Sequence, residues 1–160
     1  MNTHQNARLT AWGRAELVRR VVVSGRLHTI LATYLGRKTN VVGPGVVEHA
    51  PETHLEPDLL VFPSPIPTSL EWTDLSGHWL AVEVLSRGSR RYDQDLKRNA
   101  YLALGVREVW LVDWQNREIL RSIAGGVTDG PFQEKLRWRP AKMGAPLVID
   151  LEEVFEGLDR

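Results

Sequence analysis

The sequence predicts an α/β fold, a central mixed β-sheet flanked by helices, and three observations carry that reading. Two short apolar runs, residues 57–62 and 79–85, have the length and composition of strands buried on both faces. A helix-like segment over residues 89–104 follows the second run and is closed by Gly105. A third apolar run, residues 108–114, comes next. Strand, helix and strand in that order form a right-handed crossover between parallel neighbours.

The 160 residues suffice for one domain with its own core, and the expected division is a flexible terminus over residues 1–12 and a single domain over 13–160. Twenty Lys and Arg balance twenty Asp and Glu, so no global basic field advertises a polyanionic partner, and a local patch has to serve instead. The absence of cysteine excludes disulfides, thiolate zinc centres and cysteine nucleophiles. The polar start lacks the apolar core of a signal peptide, and no apolar run approaches membrane-spanning length. A soluble cytoplasmic protein is expected.

Taken in order, residues 14–35 read as a helix. Leu17, Val21, Ser24, His28, Leu31 and Leu35 recur at spacings of three and four, a stripe suited to packing on a sheet. Val21, Val22, Val23 and Gly25 are weak helix formers within it, and Gly36 is a natural stop. Residues 39–50 read as a strand interrupted at Gly43, Pro44 and Gly45. Residues 48–56 mix acids and histidines without the i, i+4 spacing of a zinc helix, so a solvated loop is expected there. The proline-rich residues 63–69 predict an extended loop. Residues 118–123 pair with the 108–114 strand through a tight turn at Gln115 and Asn116. Residues 124–131 read as a flexible loop and 132–138 as a strand. Residues 147–155 read as a short strand or a turn of helix.

Chemistry concentrates around three residues. Alternation along residues 79–85 puts Glu83 on one face with Trp79, Ala81 and Leu85, unlike an exposed carboxylate. Asp58 follows Pro57 at the start of its own strand. If the two strands pair, both acids converge on one hard cation, and magnesium typically takes one or two carboxylates plus water. Asp93, Lys97 and Tyr101 share a helix face at i, i+4 and i+8, which lets Lys97 return its ammonium group toward the sheet. The plainer alternative is an Asp93–Lys97 surface pair. Arg87, Arg90, Arg91 and Arg98, with Ser89 between them, make a basic patch suited to a phosphodiester backbone. Glu16 and His28 lie on or beside the first helix stripe; a solvated Glu and a packed His are the bland readings, with a supporting site role for Glu16 as the alternative.

Pro57 and Asp58, then Glu83, Val84, Leu85 and Ser86, then Asp93, Lys97 and Tyr101 four apart, then Gly105, Val106, Glu108 and Trp110 to Asp113 resemble the bacterial Uma-two family. That family is assigned to the PD-(D/E)XK nuclease superfamily. The resemblance implies a restriction-endonuclease-like fold and magnesium- or manganese-dependent hydrolysis of DNA. It implies Asp58, Glu83 and the Val84 carbonyl as metal ligands. The superfamily's lysine two residues after the acid falls on Leu85 here, and its transfer to the following helix in this family points to Lys97. The step after the glutamate is Ser86 and Arg87, where serine and proline are usual. The chain is also short before its first helix, which leaves only Glu16 to stand for an N-terminal acid.

Two functions follow as expectations: a metal-dependent endonuclease with DNA as partner, or a catalytically inactive module of the same fold that binds DNA or a protein. A serine hydrolase is a distant third reading, since the residues flanking Ser89 lack a Gly-x-Ser-x-Gly elbow. Six tryptophans in a domain of this size leave a homodimer interface as an alternative to core packing.

Overall fold

A computed structural model describes residues 10–36, 39–42, 47–49, 53–63, 78–86, 93–141 and 143–158. The expected proline-rich loop after Pro63 falls outside them, as do Arg87, Ser89, Arg90 and Arg91.

Helix α1 spans Ala11–Leu35 and starts where Thr10 Oγ1 accepts from the Gly13 N–H at 3.0 Å. Such a cap satisfies one of the orphan donors of a first turn. The helix therefore begins inside the terminus expected to be loose. Its buried residues are Glu16, Val23, Leu27, Leu31 and Leu35. The expected stripe is corrected in its first half: Leu17 and Val21 are 50% and 61% exposed. The three consecutive valines offer an apolar side chain in almost every direction, so fit to the sheet, not periodicity, selects Val23.

Strands β1 (Thr39–Val42), β4 (Leu59–Pro63), β5 (Leu80–Val84), β6 (Glu108–Asp113), β7 (Glu118–Ile123) and β8 (Val127–Phe132) form a six-stranded sheet in the order β1-β4-β5-β6-β7-β8. Only β5 and β6 run parallel; every other neighbouring pair is antiparallel. The mixed sheet and the parallel crossover pair are as the sequence predicts. Among the described residues two further antiparallel strand pairs occur, β2 (Val47–His49) with β3 (Thr53–Leu55), and β9 (Lys135–Trp138) with β10 (Leu147–Asp150). Within the solvated loop expected over 48–56, residues 48–49 and 53–55 instead lie in paired strands, and Leu55 is 1% exposed.

Alternation along β4, β5 and β6 feeds two cores. Leu59, Val61, Leu80, Val82, Val84, Trp110 and Val112 face α1 and the C-terminal elements. Leu60, Phe62, Ala81, Val109 and Leu111 face Tyr101 and Val106. Burying one such aliphatic or aromatic side chain contributes about 1.5–3 kcal/mol, which is why continuous apolar runs settle in the middle of a covered sheet. Trp110 and Trp138 meet edge to face at 5.5 Å, and Trp110, Trp114 and Trp138 all serve the core.

The crossover helix differs from a plain α-helix. Asp93–Lys97 form a π-helical turn, and α2 continues from it over Arg98–Ala103. Gly105, at φ +89°, closes the helix as expected, with the Val106 N–H returning to the Tyr101 carbonyl at 3.1 Å. The turn after β6 is wider than two residues, because both Gln115 and Asn116 donate backbone N–H groups to Asp113 Oδ1 at 3.1 Å. Of the flexible loop expected over 124–131, residues 124–126 form a turn and the remainder is corrected to strand β8, while the strand expected over 132–138 narrows to β9. Residues 147–155 hold both expected forms. Strand β10 ends at Asp150, whose side chain accepts from the Glu152 N–H and starts helix α3 (Leu151–Phe155).

Candidate active site

The antiparallel register of β4 and β5 sets Leu59 opposite Val82, so the residue before β4 and the penultimate residue of β5 lie at one end of the sheet. These are Asp58 and Glu83. That end is also the carboxyl end of the parallel strand β5, where open α/β sheets characteristically form sites. Asp58 Oδ2 accepts from the Val84 N–H at 2.7 Å, so the carboxylate takes over where the ladder stops.

Glu83 is fully buried, and a bare carboxylate there would cost several kcal/mol. The crossover helix supplies the compensation. Lys97 Nζ lies 3.3 and 3.2 Å from the two Glu83 oxygens, and the Tyr101 hydroxyl donates to Oε1 at 2.6 Å. The four-residue spacing of Lys97 and Tyr101 thus lands both side chains on one carboxylate. Asp93 opens the π-helical turn one turn earlier. Arg98 sits on α2, its Nε 3.3 Å from the Asn99 side-chain oxygen. Glu16 is buried, not solvated, and accepts from Trp114 Nε1 at 3.3 Å.

One residue of the centre is absent from the sequence-based set. Arg20, on α1, places Nε 2.7 Å from Asp58 Oδ1 and Nη2 3.8 Å from Glu83 Oε2. Arg20 lies three residues before Val23 and seven before Leu27, in phase with the buried face of α1, and that phase was the available signal. Two acids thus meet two cations: Asp58 and Glu83 against Arg20 and Lys97. A cavity of about 430 Å³ adjoins Arg20 and Asp58 and is lined by them with Leu17, Val21, Ser24 and His28 among others.

Among the described residues no group of three or more His, Cys, Asp or Glu side chains gathers to hold a metal. A pair of oxygen donors nevertheless fits a hard cation that keeps much of its water and takes only one or two carboxylates. It does not fit zinc, which favours closed sets of nitrogen and sulfur. No helix among the described residues is long and apolar enough to cross a membrane.

Residues 19–158 match the model of the Uma2 family, described as "Putative restriction endonuclease". The fold is similar to the crystal structure of a protein from Anabaena variabilis described as a "putative nuclease". The likeness has a TM-score of 0.65 at 14% sequence identity and covers 86% of this chain and 80% of that one. No curated protein matches the sequence.

Proposed function

The chain belongs to the Uma2 family, and from that premise we propose that it is a divalent-metal-dependent endonuclease cleaving DNA at the Asp58–Glu83–Lys97 centre. The observation that carries the reading is the convergence of Asp58 and Glu83 at one end of the sheet with the Lys97 ammonium 3.2 Å from Glu83. Asp58, Glu83 and the Val84 carbonyl would hold magnesium or manganese, which supplies positive charge to polarise a phosphodiester and to acidify water.

The protein's own groups do the rest. The Tyr101 hydroxyl fixes the rotation of the Glu83 carboxylate through Oε1. The Val84 N–H does the same for Asp58 through Oδ2. Lys97, with its side chain only 16% exposed, holds a proton donor beside the acids, where it positions the attacking water or offsets charge in the transition state. Arg87, Ser89, Arg90, Arg91 and Arg98 are proposed to grip phosphates, with Asp93 and Glu16 as supporting residues.

Supercoiled plasmid incubated with magnesium or manganese tests the proposal. Wild-type protein nicks or linearises the plasmid, chelator abolishes cutting, and Glu83→Gln leaves the plasmid intact. A second reading, a nuclease-fold module that binds without cutting, draws support from Arg20, whose guanidinium already neutralises the acids. Retention of plasmid on the protein with no cleavage in either metal would establish that reading instead.

A further inference from the structure

We infer that Arg20 is a displaceable counterion, which holds the metal's place on Asp58 and Glu83 and gives way to the metal by exchange. The inference rests on the proposed metal-dependent reading of this centre. The guanidinium approaches one oxygen of each acid, 2.7 Å from Asp58 Oδ1 and 3.8 Å from Glu83 Oε2, so it competes for the same pair of ligands that a cation would bridge. Two carboxylates brought together repel unless positive charge lies between them. Arg20 bridges the two acids and holds them together in the absence of metal.

Arg20 is also the more exposed of the two cations. The Arg20 side chain is 33% exposed, against 16% for Lys97 and 0% for Glu83. The adjoining cavity of about 430 Å³ is lined by Arg20 itself and gives the side chain room to withdraw. Its departure leaves the acids held, Asp58 by the Val84 N–H and Glu83 by Lys97 and Tyr101. Exchange of one positive charge for two raises the net charge of the centre by one unit. The released fork of N–H donors then suits phosphate oxygens at the same spot.

Manganese binding by calorimetry and NMR of the Arg20 Nε–H in the wild-type protein test this together. The Arg20→Gln variant is expected to bind manganese about tenfold more tightly than wild type, since a competing charge has gone. Arg20→Lys should fall between the two, and Glu83→Gln should lose binding. In wild-type protein the Nε–H signal, slow to exchange while bonded to Asp58, should move to fast exchange at saturating magnesium. A purely structural arginine predicts the reverse, weaker metal binding in Arg20→Gln. Equal or weaker affinity in that variant, or an Nε–H bond that survives metal saturation, overturns the inference while leaving the metal site intact. Failure of wild type and Arg20→Gln alike to bind metal removes the metal-dependent reading itself, and the exchange with it.

Discussion

Glu83 is the residue on which the site's energetics turn. A fully buried carboxylate survives here because Lys97 and Tyr101 approach it from the next helix. Taking Lys97 away should therefore be costly in two currencies. Lys97→Met is expected to lower stability by about 3 kcal/mol, because it strands a buried charge, and to lower plasmid cleavage about a hundredfold or more. Urea unfolding separates the two effects: the double variant with Glu83→Gln should recover much of the lost stability, since the stranded charge has gone too, but none of the activity. Asp58, Glu83, Lys97 and Tyr101 were legible in the sequence for a reason of the same kind. A carboxylate inside a short apolar run demands a partner, and a four-residue helical spacing supplies two. Arg20 was not singled out, because its phase with Val23 and Leu27 becomes a signal only once the buried face of α1 is known, and its partner Asp58 lies 38 residues away.

Elements were legible where hydrophobic pattern alone decides them. Strands β4, β5 and β6 are apolar apart from Glu83, Glu108 and Asp113, and burial on both faces leaves them one solution. Helix α1 was legible as a helix, but the inward face of its first half was not, because Leu17, Val18, Val21, Val22 and Val23 surround the axis with apolar groups. Strand β8 was missed because glycine, aspartate and proline signal a loop, and its side chains are largely exposed. The irregular register between β7 and β8 explains how a strand accommodates them. Gly130 sits there at φ +100°, and an added Cβ would lie 3.0 Å from the Ile119 carbonyl oxygen and from the Phe132 nitrogen. Gly130→Ala should therefore destabilise the protein by about 1–3 kcal/mol. Chemical unfolding checks the magnitude, and metal binding at the distant acids should be unchanged.

At the scale of the molecule, acid should weaken the fold through a residue outside the site. His78 enters β5 from within the core, 1% exposed and 6.0 Å edge-on to Phe62. Burial lowers its pKa from 6.5 to about 4. The unfolded chain takes up a proton near pH 6.5 that the folded protein refuses until about pH 4, so stability falls as pH drops through that window. Between pH 7 and pH 5 the loss from this group should reach about 2 kcal/mol. Glu108 runs the opposite way, since burial raises its pKa and favours the fold as pH falls. Comparison with a His78→Leu variant isolates the histidine: urea midpoints of wild type should drop more steeply from pH 7 to pH 5 than those of the variant. Neither histidine burial nor its consequence could be read from composition, because the chain's balanced charge says nothing about which groups are desolvated.

The single parallel pairing in the sheet has a consequence for how the protein comes to exist. Strands β6, β7 and β8 join by short turns and can zip up one after another with little loop to close. Strand β5 meets β6 only after the intervening chain, with its helical crossover, has been spanned, and β4 meets β5 across a further long connection. Non-local pairings of this kind form late. The meander is expected to be the seed, and the acidic centre the last part to assemble. Pulsed hydrogen exchange during refolding should find the amides of β6 and β7 protected before those of β4; the opposite order would place the seed in the site-bearing half. A nascent chain built this way does not bring Asp58 and Glu83 face to face until the strands that flank them already have a template to land on.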